Sequence, residues 1–116
     1  MHEFKTLMLN IIYNKDMTTT IKEQDYELRA ILEGRLDTAA ATETEKALQP
    51  LYEANGKDIV FDCTRLDYIS SSGLRLLLAV LKDAKPKGSH VYISGVNDNI
   101  RSVLAMTGFT NLFEFK

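Results

Sequence analysis

The chain has 116 residues, 45% of them hydrophobic and 26% charged, and a formal net charge of −2 with both signs interleaved. Those values suit one globular domain with an ordinary core and exclude the basic stripe of a nucleic-acid binder. No apolar run reaches membrane-spanning length and no signal-peptide pattern opens the chain; with Cys63 alone, neither a disulfide framework nor a cysteine metal cluster is available, so a reducing cytoplasm is the expected compartment.

The first sixteen residues read in two ways. Met17 opens Met-Thr-Thr-Thr-Ile as a start would, which makes residues 1–16 an extension of a domain spanning residues 17–116. Alternatively, residues 7–13 form an extra edge strand. Residues 18–23, led by β-branched side chains, are expected to be a strand. After a turn near Gln24-Asp25, the period-two series Tyr26, Leu28, Ala30 and Leu32 predicts a half-buried strand that Gly34 ends, and a hairpin joins the pair.

Asp37 or Thr38 caps the first helix, which should run to about Ala54 with Ala40, Thr44, Ala47, Leu48 and Leu51 on one face. Pro50 should kink or divide it. Ile59-Val60-Phe61 is a continuous apolar run, the pattern of a central strand. The helix from about Ser72 to Lys85 carries Leu74, Leu77, Leu78 and Leu81 at i, i+3, i+4 and i+7, and Val80 and Ala84 widen that face. Leu76 falls at its far margin, beside Ala79 and Asp83, either as peripheral core or as part of an apolar patch for a partner. Arg75 and Lys82 share the polar side. Val91-Tyr92-Ile93 is a short strand, residues 97–107 a third helix stopped by Gly108, and residues 112–115 a last strand. The order ββαβαβαβ predicts an α/β fold, a mixed sheet with helices packed against it.

Catalytic constellations are missing. A serine nucleophile needs a base within reach, and the only histidines are His2 and His90. No nucleophile elbow, phosphate loop or metal-ligand spacing is present, so the expectation is a protein that is not an enzyme and needs no cofactor. What stands out is Tyr68-Ile69-Ser70-Ser71-Ser72-Gly73-Leu74, where three hydroxyls meet at the junction of a buried strand and an apolar helix. A helix N-terminus presents free N–H groups and a positive dipole end, which suit a capping serine and equally a phosphorylated one.

From Ile59 to Leu77 this junction resembles the STAS family, the anti-sigma factor antagonist domain. The likeness rests on an apolar strand, then Asp62-Cys63-Thr64, then Tyr68-Ile69 and Ser70-Ser71-Ser72-Gly73-Leu74. Gly34-Arg35-Leu36-Asp37, Ile100-Arg101-Ser102-Val103-Leu104 and Thr107-Gly108-Phe109 extend the likeness to about residues 18–115. The resemblance implies a STAS fold and a switch. A partner kinase of the histidine-kinase-like ATPase type, itself an anti-sigma factor, would phosphorylate Ser71, with Ser72 the runner-up, and a phosphatase would reset it. The unphosphorylated protein would bind that anti-sigma factor and free a sigma factor. Asp37, Ser70, Ser71, Ser72, Gly73, Arg75 and Leu76 would form the partner surface, with no direct contact to nucleic acid and no membrane insertion.

Two departures from the family pattern are visible. Ser70 stands where many kinase-regulated members have Asp, and the family's usual last helix has no counterpart before Phe115-Lys116. Ser70 could then take over capping and leave Ser71 to react. Two other readings use the same surface: a STAS subunit of a membrane transport ATPase system that is not phosphorylated, and a module sensing a nucleotide or anion at the helix terminus.

Overall fold

The computed structural model describes residues 7–13 and 16–116. Their backbone forms a six-stranded sheet in which spatial order equals chain order. The strands are β1 (Leu7–Tyr13), β2 (Met17–Glu23), β3 (Glu27–Leu36), β4 (Asp58–Ile69), β5 (Val91–Ser94) and β6 (Glu114–Phe115). The pairs β1/β2 and β2/β3 are antiparallel, and β3/β4, β4/β5 and β5/β6 are parallel. Each parallel step is made through a helix: α1 (Thr38–Ala47), α2 (Ser71–Ala84) and α3 (Asp98–Met106). Right-handed crossovers that all step the same way put their helices on one face of a sheet.

Burial agrees with that topology. Leu28, Ala30 and Leu32 of β3, Ile59 and Phe61 of β4, and Val91 and Ile93 of β5 join one core cluster with Leu74 and Leu77 of α2 and Ile100 and Leu104 of α3. The alternate residues face away from the helices and are largely polar. There Arg29 Nε donates to Glu27 at 2.9 Å and its Nη1 donates to Asp62 Oδ2 at 3.1 Å. Val60, fully buried on that side, is flanked in register by Arg29 and Tyr92. The sheet is thus apolar toward the helices and laced with ion pairs on its other face.

Several elements differ from the sequence reading. Gly34 does not end β3; the strand runs on to Leu36. A β-carbon at Gly34 would stand 2.1 Å from the Asp16 carbonyl oxygen, and its φ of +102° belongs to the region that glycine enters freely, so the residue lets the chain pass close without breaking the pairing. Tyr26 is 83% exposed, in the turn before β3 rather than on its buried face. The central strand is much longer than its apolar run. Polar Asp62, Thr64, Arg65 and Asp67 lie within it: Asp62 pairs with Ile31 and Arg65 with Glu33 of β3, while Thr64 and Asp67 fall at two shifts in that register. The last strand shrinks to Glu114–Phe115, preceded by a 3-10 turn at Phe109–Asn111. Pro50 divides the first helical segment: α1 stops at Ala47 and a 3-10 turn takes up Gln49–Glu53. The proline lies in the first turn of that second piece, where its missing N–H leaves no helical bond unmade.

Candidate functional site

The parallel register sets Leu36 of β3 beside Ile69 of β4, and the Ser70 N–H donates to the Leu36 carbonyl at 2.9 Å. Both strands therefore end at one level. Each hands directly into a helix, so the N-termini of α1 and α2 open side by side. Asp37 caps α1, its Oδ1 accepting from the Ala40 N–H at 2.9 Å. Ser70 caps α2, its Oγ accepting from the Gly73 N–H at 3.2 Å with extended backbone (φ −91°, ψ 173°).

The serines divide three tasks between them. Ser70, half-buried, uses its hydroxyl on the cap. Ser72, also half-buried, holds its Oγ 3.5 Å from Thr38 Oγ1, a hydroxyl contact that joins the first turn of α2 to that of α1. Ser71 is exposed, and its hydroxyl makes no hydrogen bond to another described side chain or backbone group. Gly73 fixes the height of the turn. A β-carbon there would meet Leu36 Cγ at 2.7 Å and Ile69 Cγ1 at 2.9 Å, so α2 seats directly on the two strand ends.

The first turn of α2 contains no acidic side chain. Arg75, one turn along, is exposed, and Leu76 is half-buried with its side chain packed against the edge of the core. The apolar group that does reach solvent beside the turn is Tyr68, 39% exposed, with the Arg35 guanidinium 4.3 Å over its ring centre. The structure thus brings together Asp37, Ser70, Ser71, Ser72, Gly73 and Arg75, and it draws Leu76 partly inward. The sequence offers Thr38 only as an alternative cap of α1, and it pairs neither Thr38 with Ser72 nor Arg35 with Tyr68. Their only signal lies in the register that sets Arg35 beside Tyr68, which needs the sheet to be known.

Other polar groups lie apart from this junction. His90 is exposed just ahead of β5, where its Nδ1 meets Glu114 Oε2 at 2.8 Å, and that carboxylate pushes its pKa up. A 240 Å³ cleft lined by Leu81, Lys85, Ser89 and His90 sits at the far end of α2. Asp62 binds the Thr64 N–H and Oγ1–H through one carboxylate oxygen, at 3.1 Å and 2.7 Å. This brace holds the strand where Gly95 approaches so closely that a β-carbon would lie 2.3 Å from Thr64 Oγ1. No helix among the described residues is long and apolar enough to cross a membrane.

The STAS domain family matches residues 20–116, which takes in the second half of β2, β3 to β6, all three helices and the serine junction. The chain belongs to the STAS domain family. An anti-sigma-B factor antagonist of Staphylococcus aureus is 30% identical over 99 residues, covering 85% of this chain and 90% of that protein. Among solved structures, an anti-sigma factor antagonist from Mycobacterium paratuberculosis superposes with a TM-score of 0.71 at 23% identity, covering 85% of this chain and 84% of that one. The Bacillus cell fate determinant SpoIIAA in its phosphorylated form gives a TM-score of 0.61 at 16% identity, covering 98% and 91%. This STAS chain is thus similar to anti-sigma factor antagonists in sequence and shares their fold.

Proposed function

We propose that this STAS protein is a cytoplasmic anti-sigma factor antagonist, a binding switch set by phosphorylation of Ser71. The observation that carries the reading is the division of hydroxyls. Ser70 is engaged by the cap and Ser72 is half-buried with its hydroxyl turned toward Thr38 at 3.5 Å, whereas Ser71 is exposed at a helix N-terminus with its oxygen unengaged. Phosphorylation there adds about −1.5 to −2 charge units and three acceptor oxygens at the positive end of the helix dipole. The fold accepts that charge, so its effect falls on docking. A neutral serine turn can lie against a partner, while a dianion must be stripped of water to do so and repels any acidic group opposite. The likeness to a S. aureus anti-sigma-B factor antagonist, and to a fold neighbour solved in a phosphorylated form, supports the same reading.

In this proposal the partner is an anti-sigma factor that is also a serine kinase of the histidine-kinase-like ATPase type. It docks on Asp37, Ser70, Ser71, Ser72, Gly73, Arg75 and the exposed edge of Leu76, and a phosphatase restores the binding form. Incubation with that kinase and ATP, followed by intact-mass measurement, tests it. One added phosphoryl group that Ser71→Ala abolishes is the expected result. No adduct, or one that survives Ser71→Ala and Ser72→Ala together, rejects it.

A further inference from the structure

Ser71 and Arg75 stand four residues apart on α2, on the same side of the helix and about 6 Å apart along its axis. Both are exposed, and among the described residues no carboxylate lies within ion-pair distance of Arg75. Long side chains on a helix lean toward its N-terminus, which inclines Arg75 toward Ser71. An anion four residues ahead of a cation is also the favourable order for such a pair, since it agrees with the helix dipole. Arg35, the other guanidinium near the junction, is seated over the Tyr68 ring on the neighbouring strand end.

Resting on phosphorylation of Ser71, we propose that Arg75 is the counter-ion of the Ser71 phosphate, its planar fork binding two phosphate oxygens within the helix. Guanidinium and phosphate match in a two-point, charge-assisted geometry; the first turn of α2 holds no carboxylate, and Asp37 across the junction is engaged on the Ala40 N–H. Phosphorylation then has two effects on the docking surface. It adds a dianion at Ser71, and it withdraws the cation that this part of α2 offers to acidic groups on a partner.

The test uses the full chain with phosphoserine installed at position 71 during translation, so that no kinase is involved. The second ionisation of the phosphate is followed by phosphorus NMR against pH. The midpoint is expected about 0.3 pH unit lower with Arg75 present than in Arg75→Ala. Arg75→Lys should recover part of the difference, and about 1 M salt should close it. Equal midpoints in the unchanged chain and Arg75→Ala overturn the proposal, as does a midpoint that rises with Arg35→Ala instead. A kinase that leaves Ser71 unmodified would reject the switch itself, and that result is separate because this phosphate is placed without it.

Discussion

The Leu36 side chain fills the space that a β-carbon on Gly73 would need, its Cγ 2.7 Å from that position, with Ile69 Cγ1 2.9 Å away on the other side. Both side chains are buried, and neither is the free end of a flexible surface group. This glycine is therefore demanded by packing, and the first turn of α2 is pressed onto the ends of β3 and β4.

Gly73→Ala should destabilise the protein. Overpacking at such a contact costs about 1–3 kcal/mol, and the better helix propensity of alanine returns at most about 1 kcal/mol. A net loss of roughly 1–2 kcal/mol in urea unfolding is expected. An unchanged or higher midpoint would show that the two strand ends give way easily.

The serines should separate by stability as they do by hydrogen bonding. Ser70→Ala removes the cap of α2 and is expected to cost about 1 kcal/mol, while Ser71→Ala should stay within about 0.5 kcal/mol of the parent. Chemical denaturation of the two variants side by side checks this. Equal losses would contradict the division of tasks, because both hydroxyls would then be structural.

Much of this was legible in the sequence where the causes are local. One helix turn each narrows the caps to Asp37 or Thr38 and to the serine run, where Asp37 and Ser70 serve, and the break at Pro50 follows from a missing N–H. The length of β4 was hidden. Its second half exposes residues in adjacent pairs, Thr64-Arg65 and Asp67-Tyr68, which breaks the period-two signal, and what holds it is pairing with β3, as at Glu33 with Arg65 and Arg35 with Tyr68. Gly34 looked like a stop for the opposite reason: the signal for a turn and the signal for a close backbone approach are the same residue. At the site, the resemblance puts Ser71 first and Ser72 second as the proposed acceptor. The half-burial of Ser72 and its approach to Thr38, 34 positions away in the chain, support the same order, and no single segment contains that information.

Stability should fall in acid through Asp62. Burial works to raise this carboxyl, but the hydrogen bonds from the Thr64 hydroxyl and N–H, followed by the Arg29 guanidinium, outweigh it and hold the pKa below the usual value of 3.8. A carboxyl lowered by folding stabilises fully above its unfolded pKa, and that contribution is lost as pH falls through the folded one. Unfolding midpoints measured from pH 6 down to about pH 2 should therefore show a decline below about pH 4 that is shallower in Asp62→Asn. An identical decline in both proteins would place the acid sensitivity elsewhere.

Cys63 should be chemically silent in the folded protein. It is buried in the core, and burial, with the neighbouring Asp62 charge, pushes its thiol up to about 12. Near pH 8 almost none of it is thiolate, the form that reacts. A disulfide-exchange reagent is expected to leave the native protein unlabelled and to label one thiol fully in denaturant. Rapid labelling of the native chain would mean that the sheet opens locally at β4.

The exposed hydroxyl at Ser71 also bears on repetition. That oxygen holds neither the cap nor the contact between the two helices. Under the proposed function, a phosphoryl group added there and later removed would therefore leave the cap of α2 intact, and the switch would carry no memory of how often it had been set. It would be written and erased without refolding, and its response time would be left to the proposed kinase and phosphatase.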